Sequence, residues 1–126
     1  MDVTQFSLTC GWYGMLLGVV SGMILGLFFH KENWLGGYGS HARRFLRLGH
    51  ISFFGIGLIN LFYGLSLVPM GVDEGLAWWG AYGLLVALCS MPTLCFLTAW
   101  KKVFRHLYFI PVGGAMLGVC MILFGS

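Results

Sequence analysis

Charge is what this sequence has least of: 9% of its 126 residues are Asp, Glu, Lys or Arg, against about 25% in an ordinary soluble domain. That scarcity excludes a water-soluble globule. Acid is scarcer than base, with four Asp and Glu against seven Lys and Arg. No carboxylate falls within any long apolar run, which disfavours an ion-coupled exchanger, because such carriers normally depend on an intramembrane acid. The four cysteines, Cys10, Cys89, Cys95 and Cys120, form no CxxC pair, so no zinc or dithiol motif can be read from them and free buried thiols are the expectation. Phosphate-cradling glycine motifs and nucleophiles with a neighbouring base are also missing. Glycine itself is abundant, at 20 residues, but it follows no G-X-Y period and forms no low-complexity tract, which removes collagen and disorder.

What the sequence does have is apolar length. A hydrocarbon core of about 30 Å requires roughly 20 apolar residues in a helix. Four uncharged runs of that order occur, from Ser7 to Phe29, His50 to Val68, Leu76 to Trp100 and Leu107 to Phe124. Helices are the economical reading, because an unpaired backbone amide in lipid costs several kcal/mol and period-2 alternation is absent. The expected fold is a single all-α domain over residues 1–126, an integral membrane four-helix bundle made of two helical hairpins. Trp12, Tyr13, Trp34, Tyr38, Trp78, Trp79, Trp100 and Tyr108 stand at or beside the run ends, the placement of an aromatic belt.

Charge sorting gives an expected orientation. Lys31, Arg43, Arg44 and Arg47 share one loop, and Lys101, Lys102 and Arg105 share another on the same side, whereas Asp2, Asp73 and Glu74 lie opposite. Basic loops stay cytoplasmic, so both termini are expected outside a bacterial inner (cytoplasmic) membrane. Asp73 and Glu74 read as a solvated turn. Ser40 is expected to cap a helix that begins at His41 and carries Arg43, Arg44 and Arg47 straight into the second span.

Packing signals are concentrated in the first run, where Gly11 is followed by Gly14, Gly18, Gly22 and Gly26, the last four at four-residue spacing. Such a face lets backbones approach closely and has to meet another helix, in this chain or a partner. Pro92 offers a mid-span bend whose freed carbonyl the Ser90 and Thr93 hydroxyls are expected to compensate. Asn60 is the deepest polar side chain; it reads as interhelical glue, or as the lining of a path in a homo-oligomeric channel. The two hairpins also look alike. His50 and His106 are each followed by glycine seven residues on, Gly57 and Gly113, and by leucine eleven on, Leu61 and Leu117.

The chemistry that can be argued lies at the basic side, where His30, His41, His50 and His106 fall. Arg43, Arg47 and His50 are spaced i, i+4, i+7 on one helical face. His50 and His106 would suit the axial positions of a b-type haem, with Arg47 and Arg105 at its propionates and Gly57 and Gly113 leaving room for the macrocycle. The plainer alternative is no cofactor at all: the histidines anchor span ends, while Arg43, Arg44, Lys101 and Lys102 contact membrane lipid or a partner. The expected function is that of a small non-catalytic membrane subunit or assembly factor in a larger complex of an energy-transducing membrane, built against other integral membrane subunits or its own copies. A small cytochrome and a homo-oligomeric channel or carrier are the alternatives. No nucleic-acid partner is expected.

Overall fold

A computed structural model describes residues 1–37 and 39–126 and is all-helical. Tyr38, assigned above to the aromatic belt, lies outside the described residues. The long helices are α1 (Val3–Phe29), α2 (His41–Ser66), α3 (Glu74–Trp100) and α4 (Phe109–Phe124), with short 3-10 segments at Trp34–Gly36 and Lys102–Leu107. Four helices are long and apolar enough to cross a membrane.

Each start has a local cause. Asp2 and Gln5 form a capping box on α1, the Gln5 amide donating to Asp2 Oδ1 at 2.8 Å and the Asp2 amide to Gln5 Oε1 at 3.3 Å, so two of the orphan N–H groups of the first turn are satisfied. Asp73, read from sequence as part of a solvated turn, caps α3 by accepting from the Leu76 amide at 3.3 Å. Ser40 accepts from the Arg43 amide at 3.2 Å and α2 begins at His41, as expected. Its basic first turns continue the helix, so α2 has 26 residues, nearly matching the 27 of α1 and α3, while α4 keeps 16.

Pro92 corrects one expectation. The carbonyl it frees four residues back is that of Leu88, yet the Thr93 hydroxyl donates to the Cys89 carbonyl at 2.7 Å and the Ser90 hydroxyl to that of Val86. These bonds flank the break and do not compensate it.

Sequence neighbours pack side by side and antiparallel, with α3 the most buried helix and α1 the least. The glycine face of α1 is used within the chain. A Cβ at Gly11 would lie 2.8 Å from the Gly57 carbonyl, one at Gly14 would lie 3.2 Å from Gly57 Cα, and one at Gly18 would meet the Phe54 ring at 2.9 Å. Gly22 faces His50, whereas Gly26 has open space beside it. On the second hairpin Gly83 and Gly114 make the close approach, and Leu84 fills the space over Gly118.

That packing separates the hairpins at residue level. Gly57 lies against the backbone of α1, but its proposed counterpart Gly113 has nothing beside it; Gly114 performs the packing role one position later. His50 sits well inside α2, while His106 precedes α4 in the 3-10 segment. The apparent equivalence therefore reflects shared hairpin topology without shared register.

At one end Val3, Tyr63, Leu67, Ala77, Ala81 and Leu84 form the core. The Tyr63 hydroxyl donates to the Ala77 carbonyl at 2.7 Å, and the Asp73 amide donates to the Gly125 carbonyl at 3.0 Å. Both termini and the α2–α3 turn thus share this end. All seven basic residues lie toward the other.

Asn60 is fully buried, its Nδ2 donating to the Ile56 carbonyl at 2.9 Å and its Oδ1 without a partner. A residue enclosed within one chain does not line a path between copies, which corrects the channel role considered for it. Because the orphaned acceptor carries a burial penalty of about 1–3 kcal/mol and the Ile56 carbonyl keeps its helical donor, Asn60→Leu is expected to leave the thermal midpoint unchanged or higher. Melting of the purified variant in detergent, followed by circular dichroism, checks this.

Candidate functional site

Two helices, α1 and α3, end at the basic end of the bundle, each presenting carbonyls without intrahelical donors at the negative pole of its dipole. Of the two helices that begin there, α2 supplies most of what α1 and α3 lack. Successive helical residues are rotated by about 100°, so His41 and Arg43 project about 200° apart and reach different neighbours.

Arg43 reaches α1. It is 1% exposed, its Nε donating to the Trp34 carbonyl at 2.6 Å, its Nη1 to Phe29 at 3.4 Å and its Nη2 to the Lys31 carbonyl. The guanidinium also lies 5.0 Å from the Phe29 ring centroid and 5.7 Å from that of Trp34, which itself stacks on Phe28. Five donors in a planar fork suit several carbonyls at once, which an ammonium cannot match. Around it the chain turns through left-handed backbone at Leu35 (φ 52°), Gly36 (φ 86°) and Gly37 (φ 97°). The glycines adopt this freely, while leucine there is strained by roughly 1–2 kcal/mol. The sequence reading gave Arg43 to lipid or a partner; the structure places it inside the α1–α2 connection, because that loop folds its carbonyls back over the first turn of α2.

His41 reaches α3. Its Nε2 lies 2.8 Å from the Thr98 carbonyl, and since a carbonyl only accepts, Nε2 carries the proton. Thr98 is fully buried and its hydroxyl oxygen accepts from the Tyr108 hydroxyl at 3.1 Å, with the Cys95 sulfur 3.9 Å from the same phenol. His41, Thr98 and Tyr108 thereby tie α2, α3 and the start of α4 together. Sequence reasoning missed this cluster. The available signal was the Ser40 cap, which fixes the phase of α2 and so the direction of His41.

His50 turns toward α1. The Ser21 hydroxyl donates to the Gly18 carbonyl at 3.0 Å and lies 3.0 Å from His50 Nδ1. With its one proton so placed, the serine oxygen accepts from Nδ1–H of His50, and Nε2 lies on the opposite edge of the ring. That edge is packed: a Cβ at Gly22 would lie 2.6 Å from His50 Cε1 and 3.2 Å from Nε2, and Phe54 closes another side edge-on at 5.3 Å. Arg47, one turn earlier, stands 6.0 Å from the Phe29 ring centroid.

The two histidines considered as haem ligands therefore have different surroundings. His50 is half-buried against α1, whereas His106 and Arg105 are exposed on the 3-10 segment that packs on α3. The room expected beside Gly57 is filled by α1, and only Gly113 borders open space. Among the described residues no three His, Cys, Asp or Glu side chains converge as a metal site. Arg44, Lys101 and Lys102 are exposed, as a lipid or partner role requires.

The chain matches no family model, no curated protein and no solved structure. Arg43, His41 and Tyr108 fasten helix ends, Ser21 orients His50, and Arg44, Lys101, Lys102, Arg105 and His106 remain on the surface.

Proposed function

We propose that this chain crosses a bacterial inner membrane four times, with its termini outside and its basic end in the cytoplasm, and serves there as a small non-catalytic subunit or assembly factor of a larger membrane complex. Four long apolar helices support the spanning part. The orientation rests on the gathering of Lys and Arg at one end and on their preference for the cytoplasmic side. The non-catalytic part rests on how the polar side chains are engaged. Asp2, Ser40 and Asp73 cap helices, Tyr63 joins α2 to α3, and His41 and Arg43 close two C-termini. Each of these bonds serves architecture.

The observation that carries the partner reading is an open groove. α1 and α3 form its walls and Phe53 of α2 its floor, with Cys10, Leu17, Leu85 and Cys89 among the lining and a volume of about 420 Å³. In lipid nothing drives apolar surfaces together except van der Waals fit and polar contacts, so a concave seat between two helices favours an occupant shaped to it, and a transmembrane helix of another subunit has that shape. The glycines Gly11, Gly14, Gly18 and Gly22 of α1 are occupied internally, so outside contact on this side of the bundle falls to the groove.

The test is isolation of the tagged chain from native membranes in mild detergent. A companion membrane polypeptide in fixed ratio is expected, lost when Leu17→Trp and Leu85→Trp fill the groove. Recovery of a stable monomer without a companion would overturn the subunit reading.

A further inference from the structure

The 3-10 segment Lys102–Leu107 contributes little to the core, since every residue in it except Phe104 is exposed. It packs on α3 and separates α3 from the short α4. From Trp100 to Phe109 two kinds of exposed side chain alternate. Lys101, Lys102, Arg105 and His106 supply cationic or ionisable groups, and no acid occurs anywhere from Gly75 to Ser126. Trp100 is 71% exposed, Val103 63% and Phe109 68%. Phe104 stacks on Trp100 with centroids 6.4 Å apart, and Lys101 Nζ stands 4.7 Å from the Trp100 ring.

Large apolar groups and cations exposed on one short segment are both satisfied only at a boundary, where the rings and Val103 enter hydrocarbon and the ammonium and guanidinium groups meet phosphate. Arg43 is engaged internally, whereas Lys101, Lys102 and Arg105 are all exposed within five residues of chain. The neighbouring aromatics decide the occupant, since an acidic protein or a free anion would have no use for exposed Trp100 and Phe109. We infer that Lys101, Lys102 and Arg105, flanked in the chain by the exposed Trp100 and Phe109, form a seat that retains anionic phospholipid headgroups in preference to zwitterionic ones. This rests on the membrane placement proposed above and is independent of the partner in that reading.

The full chain, purified in neutral detergent, is to be offered phosphatidylglycerol or phosphatidylcholine and read by native mass spectrometry and by melting temperature. Phosphatidylglycerol is expected to be retained at least tenfold better and to raise the midpoint. A cation near an anionic surface contributes about fivefold in affinity, so Lys101→Gln, Lys102→Gln and Arg105→Gln together should weaken retention by about a hundredfold. Lys101→Arg with Lys102→Arg should preserve it, and circular dichroism verifies folding in each case. Equal retention of the two lipids, a preference that survives the triple variant, or equal protection by inorganic phosphate would each overturn the seat. A preference lost equally in Arg44→Gln would place the lipid elsewhere and overturn it too. Release of the chain from membranes by carbonate would refute the membrane placement itself, whereas unselective lipid retention by a chain that stays embedded refutes only this inference.

Discussion

Gly114→Ala is expected to destabilise the α3–α4 hairpin strongly, while Gly113→Ala, one residue away, is expected to leave stability unchanged or raise it. The two substitutions are chemically identical and gain the same helix propensity, about 1 kcal/mol over glycine. They differ only in what the new methyl group meets. At Gly114 it would overlap the Gly83 carbonyl oxygen and approach the Ala87 amide at 3.4 Å; at Gly113 it meets nothing within 4 Å. A flexible side chain could turn aside, but a carbonyl held in a helix can yield only if the helices separate. Overpacking of this kind costs about 1–3 kcal/mol or more, which exceeds the propensity gain at Gly114 and is absent at Gly113. Unfolding in mixed micelles with increasing dodecyl sulfate, followed by tryptophan fluorescence, should show the midpoint falling for Gly114→Ala and unchanged or raised for Gly113→Ala. Equal loss at both positions would mean that the α3–α4 register is shifted from the one described.

The same pair of glycines shows how far the sequence could be read. Apolar length, proline positions and capping residues are local properties, and they were sufficient for four helices, for the start of α2 at His41 and for a close-packed glycine face on α1. Register between helices is not local. Counting from the histidines made Gly113 the partner of Gly57, and a shift of one residue, about 100° around the helix axis, turns that glycine away from α3. Spacing within a helix cannot detect such a shift, because both glycines fit an i, i+4 pattern with Gly118 or Leu117 about equally well.

The basic end was legible in composition and obscure in role. Arg43, Arg44 and Arg47 look alike in sequence as cations next to an apolar run. What separates them is the course of the loop before them, where left-handed backbone at Leu35, Gly36 and Gly37 brings the Lys31 and Trp34 carbonyls over α2. Gly36 and Gly37 announced a turn without announcing its direction. The stripe of Arg43, Arg47 and His50 does share one face, as the spacing required, and that face turns toward α1. Residues chosen as ligands for something outside the fold are thus partly engaged by the fold itself.

The contrast between Arg43 and Arg44 gives the second large effect. Arg43→Met keeps the apolar stem and removes the fork, leaving the Phe29 carbonyl without its side-chain donor and the Lys31 and Trp34 carbonyls with only the Trp34 and Gly37 amides, while Trp34 loses its cation and Phe29 keeps only Arg47. Hydrogen bonds to a charged group contribute about 1.5–3 kcal/mol each, so losing three of them outweighs the relief of no longer burying a guanidinium. That loss decides the outcome, because it is a large part of a typical folding stability of about 5–15 kcal/mol. The loop should open before the helices melt, so Arg43→Met is expected to expose the bond after Lys31 to trypsin at temperatures where the parent chain resists, and to lower the main transition as well. Arg43→Lys should fall between, one ammonium reaching fewer of the three carbonyls. Arg44 is exposed, and Arg44→Met should change stability by no more than about 0.5 kcal/mol. If instead the two methionine variants were equally stable and equally resistant at Lys31, the guanidinium of Arg43 would not be holding the loop, and the basic end would be assembled by His41, Thr98 and Tyr108 alone.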